Sequence, residues 1–204
     1  IDSADEIVAE DADGETVDAD AIAENNEDGS ETTITIANEG TLTAELDGSS
    51  ANSTIILGES TAVAMSKFKF EADDEAFVVK HVDLENTGSS DEGVAAVKIS
   101  YTNSEGDAET KTGYLSSNIV SFDGMDLYVA ADSSATLTVT IDTGAIANAE
   151  MSGQTIQLDL AADTAEFEAV GEASGETLTE LAIDVVANEM TLRKTKPTLS
   201  LASG

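Results

Sequence analysis

The chain has 204 residues, 41% of them hydrophobic, which is enough for one large or two small domains with a real core. Its 42 acidic and 8 basic residues give a formal net charge of −34, which argues against nucleic acid as a partner because like charges repel. The sequence contains no cysteine, which excludes disulfides, a thiolate metal site and a cysteine nucleophile, and no apolar run long enough for direct insertion into a membrane.

The first thirty residues differ from the rest of the chain. This stretch, IDSADEIVAEDADGETVDADAIAENNEDGS, is rich in aspartate and glutamate and poor in residues that favour β-strands. A segment of this composition does not bury enough apolar surface to fold by itself. Residues 1–30 are therefore predicted to form an extended acidic N-terminal arm that orders only against a partner or a cation.

From residue 31 onward the hydrophobic pattern has a period of two. In TLTAEL, Leu42 and Leu46 share one face, and in SKFKFEA, Phe68 and Phe70 share one face with lysines on the other. About ten short segments of this kind follow one another, separated by glycines and by Asp-Gly pairs suited to tight turns. The pattern predicts an all-β domain, a β-sandwich, over residues 31–189.

Two segments depart from this pattern. GAIANAEM, residues 144–151, is helix-like and is predicted to form a single turn between strands. GETLTELAIDVVANE, residues 175–189, has apolar residues whose spacing fits both a helix and a strand, and the sequence leaves the choice open.

Calcium is the cofactor that the sequence favours, because clustered carboxylates suit a hard cation with six to eight oxygen ligands. In EDADGETVDAD, aligning Gly14 with the glycine of a calcium-binding helix–loop–helix places Asp11, Asp13 and Asp20 at ligand positions. The alignment is imperfect, since Ala9 occupies the first ligand position and the last ligand is aspartate rather than glutamate.

Two further acidic clusters are candidate calcium sites. Asp73 and Asp74, followed by Glu75, lie at the tip of an apparent hairpin, and Asp123 is close in sequence to Asp126. For every one of these clusters the alternative is an acidic turn exposed to solvent. Beyond calcium, the sequence predicts no cofactor.

Catalytic signatures are missing from the sequence. His81, the only histidine, lies in FVVKHVDL, where strict alternation places it on one face with Val79 and Asp83, opposite Val78 and Val82. Neither a G-x-S-x-G nucleophile elbow nor a glycine-rich phosphate loop occurs. We therefore predict a plain strand histidine and no enzymatic activity.

One N-x-[ST] sequon occurs, NST at residues 52–54. It lies in a predicted loop, where a glycan is accommodated without burying polar groups. Asn52 is therefore a candidate glycosylation site.

Several segments between about Thr41 and Gly204 resemble a domain of large, secreted, repetitive surface proteins of bacteria. They are STAVAMSKFKFEADDEAFVVKHVDLENTG, FDGMDLYVAADSSATLTVTID, SGQTIQLDL, EAVGEASGETL and TLRKTKPTLSLASG. The resemblance implies an Ig-like β-sandwich module of the Greek-key or jelly-roll type. It also implies that a segment such as KPTLSLASG leads from one module into the first strand of the next.

The last fifteen residues, 190–204, are predicted to form a C-terminal strand or connector. Three of the eight basic residues lie here and precede the only proline. PTLSLASG echoes TLTAELDGSS near the start of the domain, and the side-chain parity changes at the proline, which cannot donate to a strand ladder. The predicted subunit-contact residues are Arg193, Lys194, Lys196, Pro197, Leu199 and Leu201.

These features suggest an extracellular structural subunit that polymerises head to tail into a cell-surface filament or pilus-like fibre by strand addition. Burial of Leu199 and Leu201 would contribute roughly 1.5–3 kcal/mol each. Other surface proteins or polysaccharide are further candidate partners. Three alternatives stay open: residues 190–204 as a last strand with a linker to a further module, residues 1–30 as the donor through IVA and TVDADAIA, and a calcium-stabilised adhesin or surface-layer binding module.

Overall fold

The computed structural model describes residues 40–196, which lie in the second of the two units of the chain, residues 39–204. This part of the chain is all-β, as the sequence predicted, and none of it is a helix that could cross a membrane. It has fourteen strands, where the sequence predicted about ten. The strands are β1 (Thr41–Leu46), β2 (Ile55–Leu57), β3 (Val63–Asp73), β4 (Phe77–Asn86), β5 (Val94–Thr102), β6 (Ala108–Gly113), β7 (Ile119–Phe122), β8 (Leu127–Val129), β9 (Ser133–Thr143), β10 (Thr155–Ile156), β11 (Leu158–Leu160), β12 (Phe167–Gly171), β13 (Thr177–Leu178) and β14 (Met190–Arg193).

The strands form two large sheets and one small sheet. The first large sheet is antiparallel and has the order β1-β3-β9-β5-β6. In the second, β4 is central, with β11 and β12 along one edge, β7 and β8 along the other, and β13 beyond β12. In the small sheet β14 lies between β10 and β2, and its pairing with β2 is parallel.

The core lies between the two large sheets. Phe68 and Phe70 on β3 are fully buried, and the ring of Phe70 stacks on that of Phe167 in the second sheet, with 6.1 Å between the ring centroids. Lys67 and Lys69 alternate with these rings and lie on the outer, partly exposed face. The predicted period of two is therefore confirmed for β3, and the two large sheets are the layers of a β-sandwich.

The long strands β3 and β9 run the length of the sandwich. Each has 11 residues, which corresponds to about 35 Å at about 3.3 Å per residue. At one end of the sandwich the described chain begins with Gly40, and Thr41 pairs with Asp73 at the end of β3. Ala72 pairs there with Ser133 at the start of β9. We call this the entry end.

The opposite end of the sandwich holds the last residues of the described chain. Val63 at the start of β3 pairs with Ile141 near the end of β9. The hydroxyl of Thr143, the last residue of β9, donates to the carbonyl of Leu57 over 2.7 Å, and Leu57 pairs with Arg193. We call this the exit end, because the last described strand, β14, ends here, at the far side from the entry end.

The turn after Asp73 corrects one local prediction. Asp73, Asp74 and Glu75 were expected at the tip of a hairpin, but β3 and β4 belong to different sheets, so this turn joins the two layers. The physical reason is that Glu75 is pulled inwards by hydrogen-bond donors from Gly40 and from the β12–β13 turn. A local pattern of acids around a break between strands does not distinguish these two connections.

A bulge in β4 corrects a second prediction. Glu168 and Ala169 are neighbours on β12, but they pair with His81 and Val79, so Lys80 is an extra residue on β4. The bulge reverses the side-chain parity of the strand. Val79 therefore joins Val82 in the core, where both are fully buried, whereas strict alternation had placed them on opposite faces.

The two segments that departed from the strand pattern are mostly irregular. Residues 144–151 connect β9 to β10 without helical conformation, because the Gly144 N–H donates to the Gly93 carbonyl and Ile146 packs against the core. Residues 175–189 contain the short strand β13 and then an extended segment that bridges Val185 to Leu160.

Candidate functional site

The predicted C-terminal connector begins inside the fold. Its first residues form β14, the middle strand of the small sheet, and Met190 and Leu192 are fully buried there. From Arg193 to Lys196 every residue is exposed. The part of the connector that is free to meet another molecule therefore starts after β14, at the exit end.

The cations of this segment differ from three of the five lysines on the sheets, Lys69, Lys80 and Lys98, which form ion pairs. Lys69 Nζ lies 2.8 Å from a carboxylate oxygen of Glu71, and Lys98 Nζ lies 2.6 Å from one of Asp142. Within residues 40–196, by contrast, no carboxylate oxygen lies within 4 Å of the charged groups of the three exit-end cations. These cations are Arg193, Lys194 and Lys196, and all three are exposed.

An open groove of about 500 Å³ adjoins Lys194 at the exit end. Its walls come from the β9–β10 connection and are small and mixed in polarity, namely Ile146, Ala147, Asn148, Ala149 and Ser152.

The entry end is acidic. Asp73 and Asp74 are both exposed, and the Asp74 N–H donates to a carboxylate oxygen of Asp132 over 3.2 Å. Glu172 and Glu176 in the β12–β13 turn are exposed nearby, because that turn is bonded to Glu75. We call Asp73, Asp74 and Asp132 the acidic rim. Among residues 40–196, the exit end thus carries three exposed cations beside the exposed Glu59, and the entry end carries exposed carboxylates.

Glu75 is a structural group of the entry end. Its side chain is buried, and its Oε1 accepts hydrogen bonds from the Gly40 N–H (3.0 Å) and the Ser174 hydroxyl (2.8 Å). Its Oε2 accepts from the N–H groups of Ala173 and Ser174, each over 2.9 Å. Burial alone would raise the pKa of Glu75, but these four donors outweigh it and hold the pKa at about 2. The carboxylate therefore ties three distant segments together and is not free to bind a cation.

Strand β1 is an edge of the first large sheet. Among the described residues its one neighbour is β3. Leu42 is buried, but Ala44 and Leu46 are only partly buried, although Phe70 and Phe68 opposite them are fully buried. The core is thus thinly covered along this edge.

Asp123 and Asp126, predicted as one calcium site, have separate protein partners. Asp123 Oδ1 lies 2.8 Å from His81 Nδ1. Asp126 accepts hydrogen bonds from the Ser104 hydroxyl (2.6 Å) and N–H, which lower its pKa, and it lies 3.4 Å from Lys80 Nζ. Within residues 40–196, no group of three or more His, Cys, Asp or Glu side chains is arranged so that it could hold a metal ion. Calcium binding stays a prediction.

His81 lies between two aspartates on the outer face of the second sheet. Its Nε2 is 3.1 Å from Asp83 Oδ1, but the geometry is not that of a hydrogen bond, and both atoms are buried without another partner. The sequence predicted that His81 and Asp83 lie on the same face of the strand. This is confirmed, because both residues follow the Lys80 bulge and alternation is regular between them.

The remaining predicted residues divide into two groups. Asn52 is exposed in the loop between β1 and β2, as expected for a glycosylation site, and whether it carries a glycan stays a prediction. Six predicted residues lie outside the described part of the chain: Asp11, Asp13, Asp20, Pro197, Leu199 and Leu201.

Sequence reasoning missed two features of the entry end, the role of Glu75 and the open edge of β1. Two glycines reflect the buried position of Glu75, because a Cβ at Gly40 or Gly171 would lie within 2.7 Å of the Glu75 side chain. Such a signal is interpretable only once the partners of the glycines are known. The open edge depends on strand order, which local periodicity does not determine.

No family model matches the sequence, and no curated protein matches it either. Among solved structures, one match is a family 123 glycoside hydrolase from Clostridium perfringens, whose structural analysis concerned glycolipid glycan hydrolysis. It is 10% identical, the match covers 74% of this chain and 27% of that one, and the TM-score is 0.35. A second is target SoR45 of the Northeast Structural Genomics Consortium, with 12% identity, coverage of 81% and 92%, and a TM-score of 0.21.

The prediction that the chain has no enzymatic activity is corrected by this comparison. It is wrong as a general exclusion, because one of the matched structures is a glycoside hydrolase. The exclusion of enzymes is therefore withdrawn. At a TM-score of 0.35 the likeness itself assigns no reaction and no catalytic residue to this chain.

Proposed function

We propose that this protein is a structural subunit of a filament or pilus-like fibre on the outer surface of a cell, with an Ig-like β-sandwich as its body. Copies join head to tail by strand addition, in which residues 197–204 of one copy extend a sheet of the next. The observation that carries the proposal is that the described chain enters and leaves the sandwich at opposite ends. A contact between unlike ends is heterologous, and its repetition without closure produces a filament.

The charges of the two ends support the same arrangement. Exposed cations at the exit end, Lys194 and Lys196, would meet the acidic rim of the next copy. In a chain of net charge −34, two copies repel each other unless unlike charges are opposed at the contact. The attraction is screened over about 8 Å at physiological ionic strength, so it acts at the contact itself and weakens as salt is added.

The placement of the ends also suits a second arrangement, in which residues 197–204 lead to a further module of the same chain. The two arrangements differ in what isolated copies do. A chain ending at Gly204 assembles with itself if the segment is a donor strand, whereas a linker leaves it monomeric. Cell-surface location and Ig-like topology belong to the proposal in either case.

The test is electron microscopy and sedimentation of the full chain beside a variant that lacks residues 197–204. The deletion starts at Pro197 because it then leaves β14 intact, with Met190 and Leu192 in the core, and keeps all three exit-end cations. We expect fibres from the full chain, and monomers with an unchanged melting temperature from the variant. A full-length control with Leu199→Ser and Leu201→Ser should behave like the deletion. Fibres of the same repeat from the deletion variant would refute strand donation by this segment.

A further inference from the structure

We infer that the acceptor for the donated strand is the open edge of β1, and that its occupant is residues 197–204 of a second copy running parallel to β1 from Thr41 towards Leu46. This inference rests on the proposed function and specifies the partner surface within it. The acidic rim is then the surface that receives the cations preceding the donated strand.

Strand β1 is the best acceptor among the described sheet edges. The outer strands of the other two sheets are short, with two to four residues each, so they offer few backbone groups to a partner. The opposite edge of the same sheet, β6, also has 6 residues, but none of them is buried. A Cβ at Gly113 of β6 would lie 2.5 Å from Val120, so β6 already abuts β7 of the other layer.

The side chains of β1 show what an added strand would complete. Leu42, Ala44 and Leu46 point into the sandwich opposite Ala72, Phe70 and Phe68, but only Leu42 is buried, whereas Ala44 and Leu46 are partly buried. Leu178 on β13, in the other layer, is likewise only partly buried against the core. A further strand with two leucines on its inner face would close the core on this side.

Residues 197–204 have the length and pattern that this edge requires. Eight extended residues span about 26 Å, and the six residues of β1 span about 20 Å, so the segment covers the whole edge. Leu199 and Leu201 are two residues apart and therefore face the same side of a strand. The segment carries no charged side chain, so nothing in it opposes burial along its inner face.

The direction follows from where the two ends meet. The donated segment leaves its own sandwich at the exit end and reaches the neighbour at the entry end, where β1 begins at Thr41. It must therefore run along β1 in the direction of β1, which is a parallel pairing. In this orientation Lys194 and Lys196 remain beside Asp73, Asp74 and Asp132, all of which are exposed.

A segment of the same chain competes for this edge. Residues 31–39, ETTITIANE, also alternate, with Ile34 and Ile36 on one face, and they precede β1 directly. They carry two glutamates and no cation, and on this edge they would lie beside the acidic rim. Like charges at that contact oppose their docking, whereas Lys194 and Lys196 bring positive charge to it ahead of residues 197–204.

The test uses the absence of native cysteine. Thr43→Cys on β1 is combined with Ser200→Cys in the full chain, because both side chains are expected on the outer face, and disulfides are formed by mild oxidation of the fibres. The matched control combines Ser200→Cys with Thr110→Cys, an exposed threonine of the β6 edge. We expect a ladder of covalent multimers from the first pair, with a yield about tenfold above that of the control.

A second measurement does not depend on engineered cysteines. Amide hydrogen exchange of residues 41–46 should slow at least about tenfold in fibres relative to the variant lacking residues 197–204, while residues 108–113 are unchanged. If fibres form but β1 is neither crosslinked nor protected, the inference is wrong and the proposed function stands. If β1 is already protected in the deletion variant, residues 31–39 occupy the edge and the inference is wrong. If the full chain forms no fibres at all, the proposed function fails first.

Discussion

Replacement of Glu75 by glutamine tests whether one buried carboxylate holds the entry end together. Its two oxygens accept four hydrogen bonds, two each, from Gly40, Ala173 and Ser174. A glutamine side chain has the same shape, but whichever way its amide is turned, two of the four donors face an NH₂ group. The substitution therefore removes both the charge and half of the acceptors while leaving the packing intact.

The expected loss of stability in Glu75→Gln follows from the pKa of the Glu75 carboxyl group. Burial opposes the charged form of Glu75, but hydrogen bonds from Ser174, Gly40 and Ala173 hold the pKa at about 2, against 4.5 for the free side chain. At about 1.4 kcal/mol per pKa unit the upper limit is about 3 kcal/mol, and screening by nearby solvent reduces the expected effect to about 2 kcal/mol. Because the folded pKa is depressed, this stability is present above pH 4.5 and is lost as the pH falls through about 2.

The assay is urea unfolding of wild type and Glu75→Gln at several pH values. At pH 7 we expect the variant to be less stable by about 2 kcal/mol, or roughly 4–8 °C in melting temperature. The difference should shrink as the pH falls from about 4.5 towards about 2, because the wild-type carboxylate becomes protonated. Asp74→Asn is the matched control. Asp74 is exposed and has a positive φ of 71°, which asparagine tolerates, so we expect a change below about 0.5 kcal/mol. Equal stability of wild type and Glu75→Gln at pH 7, or a difference that persists at pH 2, would refute the reasoning.

Three further predictions concern the core, the entry end and the exit end. Phe70→Ala removes a fully buried ring and should cost about 3–5 kcal/mol in urea unfolding; a cost below 1 kcal/mol would contradict a single core between the layers. Gly171→Ala places a Cβ 2.7 Å from the Glu75 carboxylate and should lower the free energy of unfolding by about 1–3 kcal/mol. In the control, Gly48→Ala, the new Cβ meets no atom within 4 Å, so stability should change little. Equal effects of the two substitutions would argue against a tight contact at Gly171. Lys194→Glu combined with Lys196→Glu should lower fibre yield at low salt without changing the melting temperature, and unchanged yield would exclude the charge contact.

Strand content was predictable from local pattern where side-chain alternation is strict. Phe68 and Phe70 alternate with lysines, and this depends only on the two-residue period of an extended chain, so their burial could be expected from the sequence. The same holds for Met190 and Leu192 in β14. Alternation failed in β4, because the extra residue Lys80 is defined by its pairing with β12 and not by anything local.

The candidate site was predictable in its charges but not in its arrangement. The sequence identified Arg193, Lys194 and Lys196 as unusual cations, and Asp73 and Asp74 as an acidic cluster. From the sequence, Asp73 and Asp74 were predicted to form a calcium site at the tip of a hairpin. Whether two such groups lie at the same end of a fold or at opposite ends depends on which strands pair, and strand pairing is a long-range property.

The sequence by itself determined that this protein is a β-rich, strongly acidic chain with a cationic segment near its C-terminus, since hydrophobic period and net charge are properties of neighbouring residues and of composition. Only the tertiary structure decided that Glu75 is a buried link between the two layers, that β1 is an edge strand among the described strands, and that the described residues begin and end at opposite ends of the sandwich. The physical reason is that these features are made by contacts between residues 35 to 99 positions apart, such as the bonds of Glu75 to Gly40 and Ser174. Contacts at that separation leave no periodic trace in the residues around them.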